Sequence, residues 1–261
     1  KPMTTRAADA RDLVHLAEKN NRHLVVPYGW HHKPFIQRAK ALMDEGAIGE
    51  IEFALCHMAS PIRALLSGEE LEADDIADAS GQDSDGLFGP TPATWADPEI
   101  AGGGYAHAQI SHSSGLLFWL SGLRAEHVFA AMSAPGSQVE LYDALTVRFS
   151  SGAIGTVSGA GTVPTDQTFQ VDLRLFGSEG MLLVDCERAR MHLRRHDGRH
   201  TVEDVAEDAG AYECSGPPDN FADLILGKTD INVTPGEAAM RGVEMLDAAY
   251  RSAVSGREEA V

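Results

Sequence analysis

Apolar residues recur every three to four positions through the first part of the chain, which is the spacing of a helix packed on a core. The spacing predicts a helix over Arg6–Asn20, with Leu13 and Leu16 on its inner face. A short β-rich run, His23–Tyr28, predicts a strand after that helix. A helix followed by a strand is typical of a parallel α/β layer, so we expect residues 1–28 to be a remnant of one.

The next elements are predicted by their boundary residues and by a change of period. Pro34 suits the first turn of a helix, and Gly46 suits the position just past its end. Residues 49–59 then alternate from side to side, which predicts a half-buried strand. An apolar run from residue 105 onwards predicts a further helix, which Gly122 is suited to end.

Beyond residue 122 the period falls to two, the period of strands in a sheet with one covered face. Turn residues at 150–152 and 177–180 predict hairpins, and therefore antiparallel neighbours. A Thr-Pro-Gly-Glu segment at 234–237 predicts a capped helix start. The predicted strands are 126–133, 143–149, 153–160, 168–176, 181–186 and 190–195. We therefore predict an α+β fold, in which one large, mostly antiparallel open sheet is covered on one face by helices.

The entry to the helix that ends at Gly122 carries the most suggestive chemistry. Gly102–Gly104 have no Cβ atoms, so a ligand can approach their backbone closely. Free N–H groups at the start of the helix suit an anion or a substrate oxygen. Tyr105, Gln109 and His112 fall at i, i+4 and i+7, and so share one helix face. This polar stripe predicts a site; the alternative is a buried helix whose histidine bonds a backbone carbonyl.

Composition narrows the class of partner. The chain has 261 residues and a net charge of −18, which argues against nucleic acid and against an anionic membrane surface. Three cysteines stand far apart, at Cys56, Cys186 and Cys214, and form no CxxC pair. A sparse, odd set of this kind is typical of reduced thiols in a cytoplasmic protein.

Residues 60–100 differ in composition from the rest of the chain. The segment contains ten acidic residues and a single basic one, Arg63, and several prolines and glycines interrupt any long helix or strand. We interpret the segment as a long loop or lid over the site. A calcium loop at Asp83–Gly86 is a weak alternative, because the twelve-residue pattern with its final Glu is absent.

Several segments stand in a distinctive order along the whole chain. They are Lys1-Pro2, Tyr28–Pro34, Gly46–Ile51, Gly102–His112, Leu175–Gly180, Phe221–Asp223, Ala248–Ala253 and Gly256-Arg257. In this order the chain resembles the glucose–fructose oxidoreductase/inositol dehydrogenase family, Gfo/Idh/MocA. Members of that family place a Rossmann domain that binds NAD or NADP before an α/β substrate domain with a large open sheet.

The resemblance implies a division of this chain and a reaction. Residues 1–28 would be the remnant of the Rossmann domain, and residues 29–261 would be the substrate-binding and oligomerisation domain. The reaction would move a hydride between a nicotinamide cofactor and a sugar-like or polyol substrate. We expect NAD or NADP in a longer, full-length protein, none bound to this chain alone, and a homo-oligomer formed through the sheet face around Phe169–Phe176.

The resemblance also implies residue roles. His112 would be the catalytic acid/base for the hydroxyl proton, a role that suits a side chain titrating near neutral pH. Lys1 would lie beside both the nicotinamide and the substrate, as a catalytic and cofactor-binding residue, with Pro2 also at the cofactor. The expected substrate-binding residues are Gly103, Gly104, Tyr105, Gln109, Trp30 and His31.

Two departures from the family pattern keep alternatives open. The nearest approach to GxGxxG, Gly159-Ala160-Gly161, lies in a strand run and leads into no helix. Ala108 stands where many members carry an Asp four residues before the catalytic histidine. A non-catalytic ligand-binding or oligomerisation module is therefore the second hypothesis. A metal hydrolase is the third hypothesis, and its metal ligands would be His31, His32 and either His107 or His112. No Asp or Glu stands at the spacing that would complete such a ligand set, so we predict no metal.

Overall fold

One sheet forms the middle of the molecule in the computed structural model, which describes residues 1–69 and 91–261. In these residues, nine strands pair in the order β8-β7-β6-β5-β1-β4-β3-β2-β9. The strands are β1 Ile51–Ala59, β2 Ala125–Ser133, β3 Tyr142–Phe149, β4 Ile154–Ala160, β5 Gln170–Gly177, β6 Gly180–Asp185, β7 Arg190–Arg195, β8 His200–Asp204 and β9 Glu259–Ala260. Every neighbouring pair is antiparallel except β1 and β4, which run parallel. The predicted α+β fold with a mostly antiparallel open sheet is confirmed.

Helices cover one face of this sheet. The helices of the described residues are α1 Ala7–Lys19, α2 Pro34–Asp44, α3 Arg63–Ser67, α4 Pro92–Trp95, α5 Pro98–Ala101, α6 Ser111–Ser121, α7 Gly216–Ile225 and α8 Gly236–Ser255. Of these, α1 lies outside this layer. A π-helical turn, Ala106–Ile110, leads into α6. Pro34 begins α2, and Gly46 follows its end with a positive φ of 72°, both as predicted.

The helix α6 lies between α8 and the sheet, so nearly all of its side chains are buried. Its close packing depends on small residues. A Cβ at Gly115 would lie 2.6 Å from the Tyr28 ring, and one at Gly242 of α8 would lie 2.9 Å from Ser114 Oγ. The sheet presents alternate residues to this layer, with Cys56 and Met58 of β1 buried against it. The packing of α6 between α8 and the sheet thus fixes the position of His112, which α6 carries.

The opening helix α1 packs differently from the prediction. Leu13 and Leu16, expected on the inner face, are 39% and 56% exposed, whereas Ala10 is buried. The reason is that α1 lies on the outside of α8, where the Ala7 amide donates to Asp247 and Arg11 pairs with Glu244. The side of α1 that carries Ala10 is therefore the covered one.

Two other local predictions are wrong. The strand predicted over 23–28 is reduced to a single bridge between Val25 and Pro235, because its backbone pairs with the short segment before α8 rather than with a strand of the sheet. The capping box at 234–237 does not form. Thr234 makes no cap hydrogen bond, and Glu237 turns outward to Arg124 and Arg241, 2.6 and 2.8 Å away.

The acidic segment is described only at its two ends. These ends carry the short helices α3, α4 and α5. The centre of the predicted lid and the weak calcium candidate at 83–86 lie outside the described residues. In the two described ranges, the helices are all too short or too polar to cross a membrane.

Candidate active site

The glycine entry to the π-helical turn is packed against the chain itself. A Cβ at Gly103 would lie 2.1 Å from Tyr250 Oη, and a Cβ at Gly104 would lie 2.2 Å from the Glu140 carbonyl oxygen. Neither position has room for a side chain. The close approach predicted from the three glycines is therefore present, but the partners are α8 and the segment before β3 rather than a ligand.

A buried carboxylate occupies the start of this helical segment. Both Glu140 carboxylate oxygens accept from the Gly104 amide at 2.8 Å, and Oε1 also accepts from the Ala106 amide at 3.1 Å. The Tyr250 hydroxyl donates to Oε1 at 2.6 Å. The expectation that these N–H groups are free for a substrate anion is thus wrong, because the chain supplies its own anion there.

His112 lies inside a box of aromatic rings. Its ring centroid is 5.7 Å from that of Tyr28, 5.8 Å from Trp30 and 5.2 Å from Tyr212. Its Nδ1 atom is buried and has no hydrogen-bond partner in the described part of the chain. Burial, and then the nearby Lys1 ammonium, lower the pKa of His112 well below its usual value. The imidazole is therefore neutral at neutral pH and able to accept a proton.

Lys1 reaches the same group of side chains. Its Nζ atom lies 5.4 Å from the centre of the Tyr212 ring, within the range of a cation–π contact. Burial lowers the pKa of the Lys1 side chain. Tyr212 therefore contacts both side chains that the sequence analysis assigned to catalysis.

Two open clefts approach each other at this pair. The first, which we call the N-terminal cleft, has a volume of about 490 Å³ and is lined by residues that include Lys1, Pro2, Gly103, Gly104, His107 and Ala108. The second, the aromatic cleft, has a volume of about 880 Å³; its lining includes Trp30, Phe169, Glu187, Arg188, Asp208 and Tyr212. Since Lys1 lines one cleft and Tyr212 the other, the Lys1–Tyr212 contact joins the walls of the two clefts.

The comparisons with known proteins decide the family. The sequence profile of the GFO/IDH/MocA C-terminal domain matches residues 36–183, more than half of the chain. The chain belongs to the Gfo/Idh/MocA family. A D-xylose 1-dehydrogenase [NADP(+)] from Haloarcula marismortui is 36% identical over 66 residues, which are 25% of this chain and only 18% of that protein.

Solved structures share the fold of this Gfo/Idh/MocA chain. An aldose-aldose oxidoreductase from Caulobacter crescentus, complexed with glycerol, matches with a TM-score of 0.71 and 19% identity. The match covers 100% of this chain and 70% of that one. The WlbA dehydrogenase from Bordetella pertussis, in complex with NADH and UDP-GlcNAcA, matches with a TM-score of 0.68 and 20% identity, over 100% and 70%. At these identities the likeness is one of fold.

The Gfo/Idh/MocA chain brings some of the predicted site residues together. Trp30 lines the aromatic cleft, and its indole N–H donates to the Gly210 carbonyl at 3.0 Å. Gly103, Gly104, Lys1 and Pro2 line the N-terminal cleft. His112 contacts Trp30 and Tyr212 of the aromatic cleft. His112 itself is buried behind these two rings and is not among the described residues that line either cleft. The expected roles of all these residues remain predictions.

Three other predicted substrate-binding residues lie in packed surroundings. Tyr105 is fully buried, and its hydroxyl accepts from Ser60 Oγ at 3.0 Å. His31 is buried between the rings of Tyr28 and Trp119, 5.2 and 4.8 Å away, and burial lowers its pKa to about 3. Gln109 is buried as well. None of the three is among the described residues that line the two clefts.

His107 is a residue of the N-terminal cleft that the sequence analysis weighed only as a metal ligand. It is buried, and its ring centroid is 4.7 Å from that of Tyr250. Burial lowers its pKa to about 4, so it is neutral at neutral pH. Within the described ranges, no three His, Cys, Asp or Glu side chains are grouped to hold a metal ion.

Glu140 and Tyr212 are the residues that sequence reasoning missed. Neither belongs to a recognisable motif, and each comes from a segment distant from His112 in the chain. The one signal for Glu140 is an acidic residue between two apolar residues, Val139 and Leu141, just before β3. For Tyr212 it is an aromatic residue in an otherwise acidic, turn-rich stretch.

Asp143 of β3 gives a testable dependence of stability on pH. It is buried, and both carboxyl oxygens have no hydrogen-bond partner among the described residues. Burial, and then the Glu140 carboxylate, raise the pKa of Asp143 well above its usual value. The folded protein therefore keeps this proton at pH values where the unfolded chain has lost it. The free energy of unfolding then falls by about 1.4 kcal/mol per pH unit above pH ~4, up to the folded-state pKa.

We predict that Asp143→Asn removes this fall. The variant is expected to gain thermal stability over the wild type at pH 8 and to gain much less at pH 5. Thermal unfolding at both pH values measures the difference in stability from the wild type. Asp166→Asn, at an exposed aspartate, is the control. If Asp143→Asn is destabilised by the same amount at pH 5 and at pH 8, the raised pKa of Asp143 is contradicted.

Proposed function

We propose that this chain is the substrate domain of an NAD(P)-dependent oxidoreductase that acts on a CH–OH group of a sugar-like or polyol substrate. The observation that carries the proposal is the meeting of neutral His112, Lys1 and Tyr212 at the point where the two clefts approach. Family membership supports the reaction class. The named relatives include a D-xylose dehydrogenase that uses NADP, and we extend that chemistry to this chain as part of the proposal.

His112 would carry the proton in this reaction. When the substrate alcohol is oxidised, its carbon gives up a hydride and its hydroxyl gives up a proton. The nicotinamide supplies the hydride acceptor. The neutral imidazole of His112 takes the proton, and the Lys1 ammonium stabilises the oxygen as negative charge develops there. In the reverse direction the same two groups return the proton and polarise the carbonyl.

The described residues offer a place for one end of the dinucleotide. Lys1 and Pro2 line an open cleft that could receive the nicotinamide ring. The glycines at 159 and 161 do not form a pyrophosphate loop, because the Tyr105 ring packs against both of them, 2.7 and 2.8 Å from where a Cβ would lie. We propose that a Rossmann domain in the complete gene product holds the rest of the cofactor, with residues 1–28 as part of that domain.

The aromatic cleft would hold the substrate. Trp30 and Tyr212 meet edge to face with ring centroids 4.7 Å apart, and Phe169 lies 6.2 Å from Trp30. Aromatic faces pack well against the C–H faces of sugars, while the polar residues of the lining supply partners for hydroxyl groups. The glycerol-bound Caulobacter crescentus structure is consistent with a polyol ligand in a domain of this fold.

A titration with reduced nicotinamide cofactors tests the proposal. NADH and NADPH are added to the complete gene product that contains this chain, and the change in nicotinamide fluorescence is followed. We expect saturable binding of at least one of the two, and none by residues 1–261 alone. Absence of binding of both cofactors by the complete product would remove the oxidoreductase proposal.

A non-catalytic binding module is the second candidate, and one observation favours it. Ala108 brings no ionisable group next to His112, at a position where the family resemblance leads us to expect Asp. A domain that has lost its chemistry would still bind a sugar in the aromatic cleft. Sugar binding without nicotinamide binding would therefore select this candidate.

We also propose that the chain forms a homo-oligomer in the cytoplasm. The open face of the sheet exposes Phe129, Tyr142 and Ile154, with 45%, 38% and 52% of their surfaces accessible. Apolar side chains in such a position favour a self-complementary contact. Light scattering after size-exclusion chromatography measures the mass, and Phe129→Lys is expected to shift it toward the monomer. A wild-type monomer at all concentrations would contradict the proposal.

A further inference from the structure

We propose that Tyr212 is a positioning residue that sets the placement of Lys1 relative to His112. The proposal rests on the proposed function for the roles of those two side chains. Its basis is one aromatic ring that contacts both. The Tyr212 ring lies 5.2 Å from the His112 ring, at 75° to it, and 5.4 Å from Lys1 Nζ.

The Tyr212 hydroxyl is fixed at both of its hydrogen-bonding positions. It donates to the Pro27 carbonyl at 3.1 Å and accepts from the Gly29 amide at 3.3 Å. Both groups lie where the chain enters the turn that carries Trp30. The ring is therefore held by its hydroxyl end, and its face is presented to Lys1.

The backbone around Tyr212 is fastened to the same turn on both sides. Trp30 donates to the Gly210 carbonyl before it, and Lys33 pairs with Glu213 after it at 2.9 Å. A Cβ at Gly29 would lie 1.8 Å from the Glu213 carbonyl oxygen, so the two segments touch at their backbones. The Tyr212 ring thus sits on a segment with little freedom to move.

His112 depends on such packing for its orientation. Its Nδ1 atom has no hydrogen bond in the described residues, so the rings around it determine how the imidazole is turned. The titratable groups around it are the side chain and the α-amino group of Lys1, together with His31, Tyr28 and Tyr212. Of these, His31 and Tyr28 are buried in the core, whereas Tyr212 is half-buried and contacts Lys1. Loss of the Tyr212 ring would admit water to His112 and release Lys1 together.

The test compares Tyr212→Phe with Tyr212→Leu. Phe keeps the ring and removes the hydroxyl, while Leu removes the ring. Phe221→Leu, on the exposed face of α7, is the matched control for loss of an aromatic ring. The pKa of His112 is measured in residues 1–261 by NMR of histidines labelled with ¹³C, and His112→Ala identifies its signal. This readout requires no cofactor and so remains valid if the oxidoreductase proposal fails.

We expect Tyr212→Leu to raise the pKa of His112 by about one unit or more, as desolvation is relieved. Tyr212→Phe is expected to keep most of the wild-type value, and Phe221→Leu all of it. In the complete gene product, Tyr212→Leu should lower kcat more than it changes KM, and should shift the pH profile. The positioning role is overturned if the His112 pKa in Tyr212→Leu stays at the wild-type value, whatever happens to thermal stability. It is also overturned if Tyr212→Phe and Tyr212→Leu shift the His112 pKa equally.

Discussion

Replacement of His112 with alanine is expected to lower the turnover of the complete gene product by about 10²–10⁴, the usual contribution of a positioned proton carrier. The reason is that the rings packed around it, those of Tyr28, Trp30 and Tyr212, supply no group that exchanges a proton near neutral pH. With His112 absent, the hydroxyl proton must pass to water without a positioned acceptor. Initial rates at saturating cofactor and substrate measure the loss.

The controls separate chemistry from folding. His15→Ala changes an exposed histidine on α1 and should leave turnover unchanged. Thermal unfolding of His112→Ala should show a folded domain, since the aromatic box retains its other contacts. A folded His112→Ala variant with wild-type turnover would exclude this residue as the proton carrier.

The largest expected loss of stability comes from Glu140→Ala. The substitution leaves the Gly104 and Ala106 amides and the Tyr250 hydroxyl without their buried acceptor. Loss of one partner from a buried, charged hydrogen-bond group costs about 3–5 kcal/mol. Chemical denaturation followed by circular dichroism measures the free energy of unfolding.

Two milder variants keep this prediction informative if Glu140→Ala does not fold. Glu140→Gln retains one acceptor oxygen and is expected to lose less. Tyr250→Phe removes one of the donors and should cost about 1–2 kcal/mol. The exposed Glu126→Ala on β2 is the matched control and should be near neutral. A Glu140→Ala variant as stable as this control would show that the carboxylate is not needed to hold the helix start.

The architecture was predictable where local patterns determine it. Alternation and turn residues located six strands after residue 122, β2 to β7, because most of these pair with a neighbour in the sequence, whereas β8 and β9 were not among the predicted strands. The parallel pairing of β1 with β4 was not predictable, since Cys56 meets Val157 across about a hundred residues. The inner face of α1 was predicted wrongly for a similar reason. Its covered side is set by contacts with α8, near the other end of the chain.

In the candidate site, too, the residues that are close in sequence were predictable and the distant ones were not. The helix of His112 and its glycine entry are continuous in sequence, so their patterns could be recognised. Glu140 stands 36 residues from Gly104, and Tyr212 stands 100 residues from His112, so no local spacing connects them to the site. Tyr105 shows what spacing along a helix leaves open. Its helical position favoured a place in the site, and in the fold its ring packs in the core against Gly159 of β4 and Gly161 just after it; its role in substrate binding stays a prediction.

Transfer of deuterium tests the central claim most directly. The complete gene product is incubated with NAD⁺ or NADP⁺ and with sugars and polyols deuterated at their carbinol carbons. NMR of the recovered cofactor then shows whether deuterium has reached C4 of the nicotinamide. The account predicts transfer from at least one neutral polyol or sugar, and transfer at least a hundredfold slower in His112→Ala, about the lower bound for a lost proton carrier. Cofactor that binds but never acquires deuterium from any of them would contradict it.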